Sequence, residues 1–285
     1  MFADAVRAEA YRLIRNRSTL FWSAAFVPVG ALIVSIVVNL VTQANTTKLD
    51  ALKLDVGVTG APVDLGQALV ATAGQLANPG LLLFLTIGAA TLFAGDYRWE
   101  TWRLVIARNR RPNLILAKLA VMAGLAVGAM LLFLLCGLLA EISKAAIFER
   151  GISFSIDGGD LGRLATVSAL CLWRILQFVM LGLLAAVVSR SLLAALFVPL
   201  AIGAAQAIAA PMLMGLGWMP DGWPTLLSLP GSAFDMIRPV VWLDQPVPAE
   251  VTAALPRAVI GLTLWTLAPL AAALVLFSRQ DLSKE

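Results

Sequence analysis

The sequence predicts an all-α polytopic membrane protein, with six transmembrane helices, an N-terminal interfacial helix, and re-entrant or interfacial helices ahead of the sixth span. Three observations predict it. Hydrophobic residues make up 60% of the chain and charged ones only 13%, with a mean hydropathy of +0.88, whereas an ordinary soluble domain is about a quarter charged. Six apolar runs are each long enough to cross a hydrocarbon core of about 30 Å at about 1.5 Å per residue. Basic residues also concentrate in alternate connections, as the positive-inside rule requires. The 285 residues leave no polar block large enough for an appended soluble domain.

Residues 1-18 form a cytoplasmic interfacial helix and residues 19-285 the six-span domain. In the first segment Phe2, Val6, Ala10 and Leu13 recur on one side at helical spacing, while Arg7, Tyr11, Arg12 and Arg15 fall elsewhere. That is the pattern of a helix lying at the membrane surface; a solvated basic flank is the other reading, since Glu9 sits at the edge of the apolar face. The first span, 20-41, is too long for a signal-peptide core and is read as uncleaved. The remaining spans cover 76-94, 114-140, 164-188, 192-214 and 258-277.

The connections differ in character. Outer loops occupy 42-75 and 141-163, and 189-191 is a tight inner turn. The outer segment 215-257 mixes Trp218, Trp223 and Trp242 with seven prolines. It is too broken to span, and its tryptophans suit the membrane interface. With the N-terminus inside, the cytoplasmic side holds thirteen basic and six acidic residues, and the outer side seven basic and eleven acidic. Both termini are therefore read as cytoplasmic, in the cell (inner) membrane.

Several absences narrow the function. The chain has no histidine, which excludes His-activated nucleophiles, His-ligated zinc and His proton relays. Cys136 and Cys171 lie in apolar runs and read as small core residues, so no metal site or disulfide framework is expected. No G-x-x-x-x-G-K-[ST] phosphate loop occurs, and no carboxylate lies within a run to serve proton coupling. A transporter built on this chain draws its energy from elsewhere.

Besides the N-terminal segment, two places are candidates for function. In the inner loop 95-113, Asp96 is placed to cap a short helix from Tyr97 to Ala107, with Trp99, Trp102 and Ile106 on one face beside Arg103 and Arg108. Such a helix is either a docking surface for a partner or an anchor in the lipid headgroups. Arg174 lies near the middle of the fourth span, where an ion is costly and faces a partner or a cavity. Gln177, Gln206, backbone carbonyls or an anionic ligand are its available partners. It either lines a substrate path or holds helices together.

The order of these features resembles the permease subunits of ABC-2 type ABC transporters, the transmembrane part of type V ABC exporters. The resemblance rests on the N-terminal "AEAYRLIRNRS" and on the inner-loop stretch Asp96-Tyr97-Arg98-Trp99-Glu100-Thr101-Trp102-Arg103-Leu104-Val105-Ile106, followed by Ala117-Lys118. Asp96 stands where the family has Glu, Glu100 where it has Gly, and Arg108-Asn109-Arg110-Arg111-Pro112 replaces a Pro-Val-Ser-Arg turn. The resemblance implies a non-catalytic permease, working as a homodimer or heterodimer with two copies of a cytoplasmic ABC ATPase. No cofactor is bound by this chain; ATP and Mg would sit on the partner. Asp96, Trp99, Glu100, Trp102, Arg103, Ile106 and Arg108 would form the coupling helix that docks the ATPase, and membrane lipids, not nucleic acid, would be the other contacts. The readings from other classes are a membrane enzyme acting on lipid or isoprenoid substrates, and a self-sufficient carrier.

Overall fold

A computed structural model of the protein describes residues 2–46, 61–99, 102, 110–242 and 249–280. The chain is mostly helical, and among the described residues six helical stretches are long and apolar enough to cross a membrane. It is a multi-pass membrane protein.

Helix α1 (Phe2–Arg15) precedes the first span, which runs as α2 (Arg17–Leu20), a π-helical turn (Phe21–Ala25) and α3 (Phe26–Ala44). Asn16 separates α1 from α2 and caps the latter, accepting from the Thr19 amide at 3.2 Å. After strand β1 (Val63–Asp64) and α4 (Leu65–Ala73), the second span is α5 (Pro79–Arg98). Its start is set by Asn78, which accepts from the Leu81 amide at 2.9 Å, with Pro79 behind it. Helix α6 (Arg111–Ile147) follows, then strand β2 (Ile152–Ser153), α7 (Gly158–Ser189) and α8 (Leu192–Gly215). Arg190, at φ +55°, makes the short left-handed link between α7 and α8. The outer segment holds two short helices, α9 (Trp223–Ser228) and α10 (Ser232–Trp242), before α11 (Ala249–Arg279).

The helices overrun the apolar runs. At 37 residues α6 is the longest, about 55 Å at about 1.5 Å per residue, so it exceeds a hydrocarbon core of about 30 Å. Hydropathy marks the part in lipid, whereas the hydrogen-bonded helix continues into its polar flanks.

Helices α5 and α7 form the axis of the bundle: 67% and 72% of their most apolar windows are buried, against 6% for the first span and 17% for α8. Helix α7 packs on α5, α8, α10 and α11. Glycines bring α7 and α8 together, because a Cβ on Gly182 would stand 3.1 Å from the Ala195 carbonyl oxygen and one on Gly203 3.2 Å from the Phe178 ring.

One element departs from the all-helical expectation. Strands β1 and β2 pair in parallel for two residues each, Val63 with Ile152 and Asp64 with Ser153. Asp64 then caps α4, accepting from the Gly66 amide at 2.8 Å, the Gln67 amide at 3.2 Å and the Ser155 amide at 3.1 Å, and from the Ser155 hydroxyl. The Ser155 hydroxyl and amide, with the two α4 amides, hold its carboxyl down to about 2. Gly66 is required here: a Cβ would lie 1.9 Å from the Ser155 carbonyl oxygen.

Candidate functional site

Four charged side chains from three helices meet at the end of the bundle that carries α1. The apolar stripe of α1 packs on α6, and this turns Glu9 inward beside Arg12. The last turn of α5 supplies Asp96, and the second turn of α6 supplies Lys118. Lys118 Nζ lies 3.0 Å from Glu9 Oε2 and 2.7 Å from Asp96 Oδ2, and donates to the Leu92 carbonyl at 2.8 Å. Arg12 closes the ring, at 3.0 Å from Glu9 Oε1 and 2.7 Å from Asp96 Oδ1. Each carboxylate is thus bridged to both cations.

The quartet is neutral in sum and largely withdrawn from solvent. The side chains of Lys118, Asp96 and Glu9 are 2%, 3% and 9% exposed, and only Arg12, at 46%, reaches outward. Burial works against the Arg12 charge, but hydrogen bonding and attraction from Asp96 and Glu9 overcome it and hold the guanidinium above its ordinary value. A cleft of about 210 Å³ opens beside the ring, with Asn16, Thr91 and Trp99 on its walls.

The same region gathers the C-terminal end of the last span. Trp102 is 2% exposed and packs its ring 5.6 Å from Tyr97, 4.6 Å from Phe277 and 5.3 Å from Lys118 Nζ. The Tyr97 hydroxyl donates to Gln280 Oε1 at 2.9 Å, and the Gln280 amide donates to the Val187 carbonyl at 2.6 Å. Arg111 donates to the carbonyls of Phe277, Ser278 and Gln280 at 3.2, 2.9 and 2.7 Å, a cation seated on the exposed acceptors of a helix end. Both roots of the 95-113 loop are therefore pinned, one through Asp96 and Tyr97, the other through Arg111 and Lys118.

Two expectations change at this site. Asp96 lies within α5, which runs on to Arg98 where a new helix is expected to begin at Tyr97, and its carboxylate meets Arg12 and Lys118. Trp99 and Trp102 do not share a face either. Trp99 is the C-cap of α5 and is 73% exposed, whereas Trp102 is buried within the chain. Glu100, Arg103, Ile106 and Arg108 lie outside the described residues.

The polar spot in the membrane is built differently. Arg174 of α7 donates to Gln177 Oε1 at 2.6 Å and to the Pro230 carbonyl at 3.0 Å, and the Gln177 amide donates to the same carbonyl at 2.6 Å. The guanidinium also stacks over Phe178 and Phe234, at 4.7 and 5.5 Å. Pro230 lies between α9 and α10, so the tip of the outer segment reaches the middle of α7. Gln206 of α8 backs this tip so tightly that a Cβ on Gly231 would fall 1.8 Å from its amide nitrogen. Asp235 of α10, outside the apolar runs, adds an electrostatic attraction to Arg174 and Arg238.

In the sequence Glu9 sits at the edge of an amphipathic face and Lys118 enters the third span in the Ala117-Lys118 pair. A lysine five residues into an apolar run, a glutamate against an apolar stripe and an aspartate closing a span were the available signal. Chemically the ring offers no poised acid or base, since each carboxylate oxygen already faces a cation. Among the described residues no group of three or more His, Cys, Asp or Glu could hold a metal ion. What the ring can do is tie three helices together. Comparison of the chain with family models, curated proteins and solved structures finds no match.

Proposed function

We propose that the chain is the membrane-spanning permease subunit of an ATP-driven transporter of the ABC-2 type, an exporter, paired with a second permease copy and powered by two copies of a separate cytoplasmic ATPase. The observation that carries the reading is the Glu9–Arg12–Asp96–Lys118 ring, which roots the inner loop of the family resemblance in three helices at once. A push on that loop from below would reach α5 and α6 directly and α1 through the ring. The Arg111 clamp would carry it to α11.

In this reading α1 lies at the cytoplasmic surface of the inner membrane, with both termini inside. The α9–α10 pair is a re-entrant hairpin whose tip rests on Arg174, and it closes the outer side of a path between two permeases. Trp99, exposed beside the quartet, is the ATPase contact, while Trp102 supports the loop from within. ATP and Mg belong to the partner, and this chain performs no hydrolysis.

The test is purification of the tagged full chain from its native membrane in mild detergent, with identification of the co-purifying subunits. A stoichiometric ATPase that is retained by the native chain and lost from Trp99→Glu, with unchanged elution of the permease, supports the proposal. A chain that comes out alone even after mild crosslinking overturns it and makes the inner loop a lipid-surface helix.

A further inference from the structure

A second hollow lies at the opposite end of the bundle, between α3, α4 and α6. It has a volume of about 240 Å³. Its deep end is apolar, formed by Pro28, Leu32 and Phe133, and its upper end carries Gln75 and Glu141. The helices that flank it are held in register above it, where Gln43 of α3 donates to the Ile147 carbonyl of α6 at 2.6 Å.

The level of the hollow follows from the second span. Gln75 stands three residues before Asn78, the N-cap at which α5 begins, so the polar end sits at the outer boundary of the hydrocarbon and the apolar end runs toward the bilayer centre. Helix α3 forms one wall, and Ile33, Val34, Val37, Val38 and Val41 are among its exposed residues. Within the lining Ala31 is exposed and Leu32, Ser35 and Phe133 are half-buried, so at this depth the slot opens sideways to lipid. Its polarity runs as a lipid's does, with the head at the boundary and the chain inward.

Glu141 lines the slot, and Lys144, three residues farther along α6, stands beyond it; together these charges select the head. Glu141 is joined to Lys144 by a loose contact of 3.7 Å, with 33% and 35% of the two side chains exposed. One anion and one cation, side by side and both reachable, match a headgroup bearing an ammonium next to a phosphate. A primary ammonium can donate hydrogen bonds to Glu141 while the phosphate meets Lys144. A trimethylammonium head cannot donate, and a purely anionic head leaves Glu141 facing negative charge.

We propose that this slot binds one acyl chain of an aminophospholipid of the outer leaflet, with its ammonium on Glu141 and its phosphate on Lys144. The site rests on the proposed reading only for its assignment to the outer leaflet; it uses neither the inner loop nor a partner, so labelling of the slot can succeed or fail independently of ATPase capture.

The test uses the full chain in nanodiscs containing a trace of phosphatidylethanolamine with a diazirine on its acyl chain, and crosslinked peptides are mapped by mass spectrometry. Labelling is expected to concentrate on 28–35 and 133–140. Unlabelled phosphatidylethanolamine should compete about two- to fivefold better than phosphatidylcholine or phosphatidylglycerol, the ratio that one partly exposed ion pair supports. Glu141→Gln should erase that preference while labelling persists. Ala140→Phe, which fills the slot, should remove the labelling at 28–35 and leave labelling of α8 as the sign of an intact fold. Labelling spread evenly over all lipid-facing helices, equal competition by the three lipids, or an Ala140→Phe chain with normal elution and undiminished labelling would overturn the proposal.

Discussion

Replacing Lys118 with methionine tests whether the charge ring holds the inner end of the bundle together. The ammonium, 2% exposed, has three partners: Glu9 at 3.0 Å, Asp96 at 2.7 Å and the Leu92 carbonyl at 2.8 Å. Methionine fills the space but strands one oxygen of each carboxylate and one carbonyl. Breaking a buried ion pair by removing one partner costs about 3–5 kcal/mol. Arg12 still reaches both carboxylates and is 46% exposed, so water can follow it in, and the lower figure applies. The expected loss is about 3 kcal/mol, roughly two decades in the folding equilibrium. Pulse proteolysis of the detergent-solubilised chain across a denaturant series reads it, with cleavage at the junction of α1 and the first span as the local signal. Asp96→Asn combined with Lys118→Met removes one charge of each sign, and should be milder than the sum of the single variants by about 1–3 kcal/mol. A single-variant loss under about 0.5 kcal/mol, the range of an ordinary surface change, or strict additivity in the pair would falsify the interlocked ring.

Three further outcomes follow from the geometry. Gly231→Ala drives a Cβ to 1.8 Å from the Gln206 amide nitrogen and 2.5 Å from Arg174 Nη2, so it should destabilise by about 1–3 kcal/mol as overpacking does; Gln206→Ala should restore much of that loss, and thermal denaturation in detergent compares the four chains. Asp64 has a carboxyl lowered to about 2 by Ser155 and the α4 amides, so the stability it lends is present above its unfolded value of about 4 and lost only as the pH falls through about 2. In Ser155→Ala the loss should move up toward about 4, read as faster hydrogen exchange of the Gly66 and Gln67 amides at a higher pH than in the native chain. Trp102→Ala removes a ring wedged between Tyr97 and Phe277 and should cost about 3–5 kcal/mol, whereas Trp99→Ala, at a 73% exposed site, should stay within about 0.5 kcal/mol in the same unfolding assay.

The six spans were legible because a bilayer makes hydropathy over about 20 residues a direct readout of length. The helix ends were not, since backbone hydrogen bonding carries α6 through Glu141 and Lys144 without regard to polarity. The inner loop shows a sharper limit. Periodicity placed Trp99 and Trp102 on one face by assuming that a helix starts at Tyr97, whereas the second span itself runs to Arg98 and the two indoles part company. Asp96 has two possible uses, as a cap or as an ion-pair partner, and the second depends on the approach of Arg12 and Lys118 from distant parts of the chain. Arg174 tells the same story: its candidate partners included Gln177 and backbone carbonyls, but that the carbonyl belongs to Pro230, 56 residues on, depends on the outer segment folding back.

The charged residues of this chain thus do work that its apolar residues cannot. In lipid an exposed leucine and a buried one differ little in solvation, so apolar surface does not fix which turn of one helix meets which turn of another. A cation that must find its acceptors does, because a misplaced register leaves an ion unpaired in a medium of low dielectric. The ring sets α1, α5 and α6 against one another at the inner end, and Arg174 sets the α9–α10 pair against α7 in the middle. Both lie on or beside the two most buried helices, α5 and α7, while the first span and α8 remain largely uncovered. Neutralising either group should therefore loosen register before it loosens helicity. Circular dichroism near native in Lys118→Met, beside altered crosslinking between cysteines placed in α1 and α6, is the pattern expected of a pinned bundle. Parallel loss of both would mean that the ions support the helices themselves, and that registry is set elsewhere.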